Sequence, residues 1–373
     1  MFKHLLALST LVLGVSCSSA HATILKATAA PTAAASVTGS TIRVGGKPFF
    51  PIMLIDQCTA TDVARARELA VNLILNESCP GSQPAAQVAR LHGGQLGVLP
   101  IQAGGKAGGA RLLGWTYPDE PENNGWTPRK LAAAFPDPRG NPDGRLSFVT
   151  TTSAFAPPPY RDPAVSPRVT SAFARLADIA GFDLYPLNHC HQDLAAVYDA
   201  QKRFVQLAGD MPTFQWIETG PLKPGYCGGF QITPEQLNAE TWLAIAGGAR
   251  GIGFFTHSLA PPQSALNVTP QVQHAIKRFS ALAAAVRPGL LGSSLPASSN
   301  RPEIKLAARR GEGQTYIFAV NALSRVVPAE IHVPKLANGT LRVFGEKRTV
   351  LVHGHGFSDS FGPLAVHVYV KAD

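Results

Sequence analysis

Residues 112–120 read LLGWTYPDE, an apolar run that leads directly into a proline and two carboxylates. Short, continuous apolar runs are typical of parallel strands that are covered on both faces. Eight such runs occur along the chain, at residues 49–55, 71–75, 95–101, 112–115, 146–151, 179–184, 213–217 and 251–255. The chain therefore contains the strands of a large parallel sheet.

Helix signals separate several of these runs. Thr233-Pro234-Glu235-Gln236 combines an N-cap residue, a proline at the first helical position and a glutamine at the third. Thr269-Pro270 begins a second helix, and residues 193–208 carry an apolar stripe at helical spacing. Eight strands alternating with helices predict an α/β fold, a (β/α)8 TIM barrel. A doubly wound sheet is the alternative, but no glycine-rich phosphate loop follows the first strand.

Some regions of the sequence depart from the alternating pattern of strands and helices. Residues 102–110, QAGGKAGGA, are too short and glycine-rich for a crossover helix, so we predict a loop there. Residues 42–50 predict a hairpin at the barrel floor, with its tight turn at Gly45-Gly46. We place the barrel at residues 41–290. Residues 291–373 hold short strand-like runs broken by Gly, Pro and Asn, which predicts a small C-terminal all-β sandwich.

The N-terminus has the pattern of an export signal. Lys3 and His4 precede an apolar run, and small residues at Ala20 and Ala22 predict cleavage after Ala22. We therefore expect a signal peptide at residues 1–22, a flexible lead-in at 23–40 and a secreted or periplasmic protein. A lipoprotein anchored through Cys17 is a weaker alternative, because Gly14 occupies the position where such signals usually have Leu.

Composition narrows the function classes. Hydrophobic residues make up 45% of the chain and charged residues 15%, which is typical of a globular protein. The net charge of +9 comes from scattered Lys and Arg, without a nucleic-acid-binding motif. No later apolar run reaches the roughly 18 residues of a membrane helix. We expect no nucleic-acid partner, no membrane span, no metal and no cofactor.

Polar and aromatic residues follow the predicted strands at their carboxyl ends, where barrels of this kind carry their chemistry. They are Asp56, Asn76, Glu77, Trp115, Tyr117, Asp119, Glu120, Asp183, Tyr185, Gln215, Trp216, Glu218 and His257. Aromatic rings stack on sugar rings, and carboxylates accept hydrogen bonds from hydroxyls. We therefore expect a carbohydrate to bind at this rim.

Two of these carboxylates suit glycoside hydrolysis, which needs one group to protonate the leaving oxygen and another to attack or to activate water. Glu120 follows the fourth strand and Glu218 the seventh, so the two lie on opposite sides of the predicted barrel. Asp119 beside Glu120 favours a raised pKa for Glu120, as a general acid needs.

Several motifs resemble the retaining glycoside hydrolases of the large (β/α)8 superfamily. They are GKPFFPIML, GWTYPDEPEN, GFDLYP, TFQWIETG and GARGIGFFTH, within residues 41–290. The resemblance implies a general acid/base at Glu120, a nucleophile at Glu218, retention of anomeric configuration and no cofactor. Asp119 departs from the pattern, because that superfamily usually has Asn immediately before the acid/base.

Two alternatives remain open on the sequence. The first is a non-catalytic carbohydrate-binding protein on a degenerate barrel. The second is an inverting or atypical hydrolase in which Asp119 or Glu77 replaces one catalytic partner. A metal-dependent hydrolase ranks below both, because no rim position offers two His at ligand spacing near a carboxylate.

Four cysteines remain after signal cleavage, and an even number in an exported chain predicts two disulfides. Cys58 and Cys79 follow the neighbouring first and second strands of the barrel. Cys190 and Cys227 lie after the neighbouring sixth and seventh strands. We therefore predict the pairs Cys58–Cys79 and Cys190–Cys227.

Overall fold

A computed structural model describes residues 34–79, 84–101, 109–136, 145–257, 259 and 268–371. The predicted signal peptide, Cys17 and most of the loop predicted at 102–110 lie outside these residues. No helix in the described part of the chain is long and apolar enough to cross a membrane.

A small antiparallel sheet closes the amino-terminal end of the barrel. It contains β1 (Ala35–Thr38), β2 (Thr41–Val44) and β3 (Lys47–Phe49). Ile42 is buried against residues of the barrel interior, which places the predicted hairpin at the barrel floor. The flexible lead-in predicted at 23–40 needs correction. Its last residues include β1, which pairs with β2 and is therefore part of an ordered sheet.

Eight parallel strands form a closed barrel in chain order, with the last pairing with the first. They are β4 (Ile52–Ile55), β5 (Leu73–Leu75), β6 (Leu96–Pro100), β7 (Leu112–Thr116), β8 (Leu146–Thr151), β9 (Ile179–Asp183), β10 (Thr213–Glu218) and β11 (Gly251–Phe255). Each predicted run overlaps one of these strands, and the predicted (β/α)8 barrel is confirmed.

Helices surround the barrel. They are α1 (Ala60–Glu68), α2 (Pro84–Ala89), α3 (Pro128–Ala134), α4 (Pro167–Ala174), α5 (Ala195–Ala208), α6 (Pro234–Gly247), α7 (Pro270–Ala285) and α8 (Arg287–Leu291). The Thr233 side chain accepts a hydrogen bond from the Gln236 amide, and Thr269 caps α7 through the Val272 amide. Both helix starts therefore follow the predicted capping pattern.

Large side chains fill the barrel interior. Phe214 and Trp216 of β10 meet there with ring centroids 5.7 Å apart in an edge-to-face arrangement. The neighbouring strands make room with glycines. A Cβ on Gly253 would lie 2.2 Å from the Trp216 ring, and one on Gly181 would lie 2.2 Å from the Phe214 ring. The barrel interior is thus a packed core and leaves no room there for a ligand.

The C-terminal domain contains two antiparallel sheets, as expected for the predicted sandwich. Its strands are β12 (Ser293–Leu295), β13 (Ser298–Ser299), β14 (Ile304–Gly311), β15 (Gln314–Asn321), β16 (Val327–His332), β17 (Gly339–Val343), β18 (Thr349–Val352), β19 (Gly356–Phe361) and β20 (Val366–Lys371). One core cluster, which includes Ile317, Ile331 and Phe357, joins the two sheets.

The β domain packs on α6 and α8 of the barrel. Trp242 of α6 stacks on Phe318 of β15 with ring centroids 5.6 Å apart. Next to this pair, the buried guanidinium of Arg309 donates hydrogen bonds to the carbonyls of Leu290, Ile245 and Ala249. These carbonyls lie at or near the carboxyl ends of the two helices, so a cation there is favourably placed.

Candidate active site

A cavity of about 760 Å³ opens at the carboxyl ends of the barrel strands. Its volume lies within the roughly 300–1,000 Å³ that drug-sized ligands occupy. Five carboxylates line it, and no Lys or Arg is among the described residues of its wall. These five carboxylates are Asp56, Glu77, Asp119, Glu120 and Asp183. Tyr117, Tyr185 and His257, which the sequence also predicted, line the same cavity.

Backbone geometry holds two of the carboxylates in unusual positions. Asp56 has a φ of 48° and Glu120 a φ of 40°, in the left-handed region that costs a non-glycine residue about 1–3 kcal/mol. The Asp56 carboxylate accepts hydrogen bonds from the Glu77 and Ser78 amides at 2.6 and 2.9 Å. Strain of this kind concentrates at functional sites, where surrounding contacts maintain it.

Asp119 and Glu77 form the first carboxyl pair, because their side chains are hydrogen-bonded to each other. Asp119 is exposed to solvent at the cavity, and partial desolvation there, followed by the charge of Glu120, raises the pKa of Asp119 to about 7. Burial, with Asp119 and Asp56 nearby, raises the pKa of Glu77 well above its ordinary value. Two carboxyls this close do not both ionise readily, so at least one of them keeps a proton near neutral pH.

Glu120 and Asp183 form the second carboxyl pair, again through a side-chain hydrogen bond. Burial, followed by the charges of Glu120 and Asp119, raises the pKa of Asp183 well above its ordinary value. Asn123 Nδ2 donates a hydrogen bond to Glu120 Oε2 at 3.0 Å. The Asn123 amide and a protonated Asp183 can therefore both donate hydrogen bonds to the Glu120 carboxyl.

Glu218 lies outside the cavity wall. It is 1% exposed at the end of β10, where Oε1 accepts a 2.8 Å hydrogen bond from the Leu187 amide. Its Oε2 accepts hydrogen bonds from the amide and the side-chain Nδ2 of Asn188, at 2.9 and 2.7 Å. Burial raises the pKa of Glu218 to about 7, against the effect of these three donors. The sequence placed Glu218 opposite Glu120; instead, the loop after β9 covers it.

Four other predicted ligands also lie away from the cavity wall. Asn76 is buried and donates from Nδ2 to Gln87 Oε1 at 2.8 Å, and Trp115 packs outside the barrel against Val88. Gln215 is buried on β10. Trp216 is 1% exposed and therefore offers no face on which a sugar could stack. The predictions for these residues need correction, because a position near a strand end does not fix which way a side chain points.

Glu240 on α6 is a second buried acid near Glu218. It is fully buried, and neither of its carboxylate oxygens has a hydrogen-bond partner among the described residues. Burial, followed by the charge of Glu218, raises the pKa of Glu240 well above the ordinary 4.5. The folded protein therefore holds a proton on Glu240 that the unfolded chain releases above about pH 4.5.

We expect Glu240→Gln to stabilise the protein by about 1 kcal/mol or more at pH 8, and by less at pH 5. The proton on Glu240 contributes stability below the unfolded pKa, and this contribution is lost as the pH rises through the folded pKa. Denaturant unfolding at both pH values measures the difference from wild type. Glu235→Gln, an exposed position on the same helix, is the matched control. An equal effect of Glu240→Gln at both pH values would contradict a buried proton.

The structure also brings residues to the cavity that the sequence did not single out. Asn188, His189, Leu222 and Tyr226 line the wall after β9 and β10. Both predicted disulfides are present, and Cys190–Cys227 joins the two loops that carry these residues. The glycine-rich segment at 223–230, KPGYCGGF, indicates a loop with tight turns but does not indicate which side chains it brings to the cavity. Among the described residues, no group of three or more His, Cys, Asp and Glu side chains could hold a metal ion.

Several solved structures with the same architecture are glycoside hydrolases. The α-amylase of Geobacillus thermoleovorans, complexed with acarbose, is 10% identical, with a TM-score of 0.57 over 87% of this chain and 98% of that chain. This chain shares their barrel architecture. The noncanonic maltogenic α-amylase AmyB of Thermotoga neapolitana is also 10% identical, with a TM-score of 0.56 over 85% of this chain and 98% of that chain.

A GH30 endoxylanase from Clostridium papyrosolvens shares the barrel as well, with 10% identity and a TM-score of 0.50 over 90% of this chain and 98% of that chain. No family model matches the sequence, and no curated protein matches it. At these identities the likeness shows the fold alone, and fold does not determine function. The cavity carboxylates are therefore the features from which a function can be inferred.

Proposed function

We propose that the protein is a glycoside hydrolase that cleaves O-glycosidic bonds of an oligo- or polysaccharide. The observation that carries this proposal is the pairing of four carboxyls, Asp119 with Glu77 and Glu120 with Asp183, in one cavity. Glycoside hydrolysis needs a protonated and an ionised carboxyl at the same bond, and a cluster of carboxyls that lose their protons at different pH values can supply both.

In the proposed reaction, Asp119 is the general acid and Glu120 is the nucleophile. Asp119 donates its proton to the glycosidic oxygen while Glu120 attacks the anomeric carbon, so that the leaving sugar departs as an alcohol. Asp119 then takes a proton from water, and the resulting attack of water on the glycosyl–Glu120 ester releases the sugar with retained configuration. Glu120 thus takes the nucleophile role that the resemblance implied for Glu218, because the oxygens of Glu218 are bonded to the loop at 187–188.

Export is part of the same proposal. Two disulfides favour an oxidising compartment, and this supports cleavage of residues 1–22 and a secreted or periplasmic location. A polysaccharide substrate outside the cytoplasm fits an exported enzyme.

We expect Asp119→Asn to lower kcat/KM by about a hundredfold or more on substrates with a sugar leaving group. The kcat/KM for dinitrophenyl glycosides should fall far less, because dinitrophenolate leaves without being protonated. Wild-type activity should fall as the pH rises through about 7, where Asp119 loses its proton, and Asp119→Asn should lack this alkaline limb. The measurement is kcat/KM between pH 4 and 9 on a panel of aryl α- and β-glycosides and oligosaccharides, with the first anomer identified by NMR.

Glu122→Gln is the control from the same segment. Glu122 accepts hydrogen bonds from the amide and hydroxyl of Thr152, and it does not line the cavity. The Glu122→Gln variant should therefore show the same fall in kcat/KM above about pH 7 as the wild type. Saturable binding of oligosaccharides without any turnover would instead identify a carbohydrate-binding protein on a degenerate barrel.

A further inference from the structure

An exposed aromatic ring stands at the mouth of the cavity. In the described part of the chain, four large hydrophobic side chains are strongly exposed, and two of them, Tyr226 and Leu259, line this cavity. Tyr226 is 47% exposed. An exposed apolar surface within a binding cavity marks an interaction site, and an aromatic face suits the apolar face of a sugar ring.

The loop that carries Tyr226 is fixed on both sides of the ring. Gly225, Cys227 and Gly228 all have positive φ, between 48° and 77°, so the chain makes a tight turn there. The Cys190–Cys227 disulfide ties this turn to the loop after β9. The backbone that carries the ring therefore does not need to be ordered by the ligand, which reduces the conformational entropy lost on binding.

Glu218 lies behind the same wall of the cavity and is hydrogen-bonded to the loop after β9. Through its hydrogen bonds to Leu187 and Asn188 it fixes the loop after β9. Asn188 in turn accepts a hydrogen bond from the Leu222 amide at 2.9 Å and donates one to the Gly220 carbonyl at 3.0 Å. The loop after β10, which carries Tyr226, is therefore joined to the loop after β9 by hydrogen bonds at its start and by the disulfide near its end.

We propose that Tyr226 is the stacking platform of a second sugar subsite, beside the carboxylate cluster, and that Glu218 is a positioning residue for this subsite. The proposal rests on the proposed function and deepens it. The substrate is then an oligosaccharide of at least two rings, with one ring at the carboxylates and the next against Tyr226.

The test compares ligands with and without a second ring. Binding of maltotriose, cellotriose, xylotriose and the corresponding monosaccharides is measured by calorimetry on the Glu120→Gln protein, with and without Tyr226→Ala. We expect Tyr226→Ala to weaken binding of the preferred trisaccharide roughly tenfold and to leave its monosaccharide unchanged. Tyr226→Phe, which keeps the ring, should bind like the parent.

Kinetics provide the readout that a structural defect would not reproduce. With Glu120 restored, Tyr226→Ala should raise KM for the trisaccharide while leaving kcat/KM for the matching glycosyl fluoride unchanged, because fluoride has no ring to stack. Equal trisaccharide affinity with and without Tyr226, or the absence of trisaccharide binding in the parent protein, would overturn the subsite. Tyr226-dependent binding without hydrolysis by the wild type would support the subsite and reject the proposed hydrolase.

Discussion

Glu120→Gln is expected to lower kcat by about a thousandfold or more while leaving oligosaccharide affinity nearly unchanged. The amide cannot act as a nucleophile, but it has nearly the same shape and can still meet Asn123 and Asp183. The measurement is steady-state hydrolysis of the best oligosaccharide, together with calorimetric binding to the variant. Glu120→Gln that kept more than a tenth of the wild-type kcat would contradict a catalytic role for this residue.

The comparison with Glu218 makes this experiment decisive between the two possible nucleophiles. Glu218→Gln would place an N–H opposite the donors of Leu187 or Asn188, so we expect a disturbed wall and a raised KM with a smaller loss of kcat. Azide can replace a missing nucleophile by attacking the anomeric carbon itself. Added azide should therefore restore turnover of an activated aryl glycoside to Glu120→Ala and not to Glu218→Ala, and the opposite result would return the nucleophile role to Glu218.

The barrel could be predicted from the sequence because its signal is local. Each strand is a short apolar run, and Thr233 and Thr269 mark helix starts with side chains that act within one turn. The disulfide pairs followed from the barrel, since neighbouring strands bring the loops after them together. The end of the flexible lead-in was predicted too far along the chain, at residue 40. The composition of the β1 residues does not indicate a strand, and they are ordered by pairing with β2.

The candidate site was only partly predictable, for a physical reason. The cavity carboxylates lie at the end of β9 or within four residues after the ends of β4, β5 and β7. The carboxyl-end rule therefore found Asp56, Glu77, Asp119, Glu120 and Asp183. The rule fails where a loop folds back across the rim. The loop after β9 covers Glu218 and brings Asn188 to the cavity in its place, and this depends on long-range hydrogen bonds that no local pattern reports.

Arg309→Met is expected to destabilise the protein by about 3 kcal/mol or more, which is the largest stability effect we predict. The substitution removes a side chain that is 1% exposed, together with its hydrogen bonds to the carbonyls of Leu290, Ile245 and Ala249. The Leu290 carbonyl keeps a hydrogen bond from Arg250 and the Ile245 carbonyl keeps one from the Gly248 amide, so the largest loss falls on the carbonyl of Ala249. Met fills a similar volume, so the loss reports on the hydrogen bonds and the charge more than on a cavity.

Arg310→Met, one residue further along the same strand, is the matched control. Arg310 is exposed, and its replacement should change the free energy of unfolding by no more than about 0.5 kcal/mol. Denaturant unfolding followed by barrel tryptophan fluorescence measures both variants. Arg309 packs over Phe318, whose ring stacks on Trp242, so its loss should loosen the contact between barrel and β domain and unfold both at a lower denaturant concentration. Unfolding of the β domain alone, with an unchanged barrel transition, would mean that the barrel does not depend on this contact.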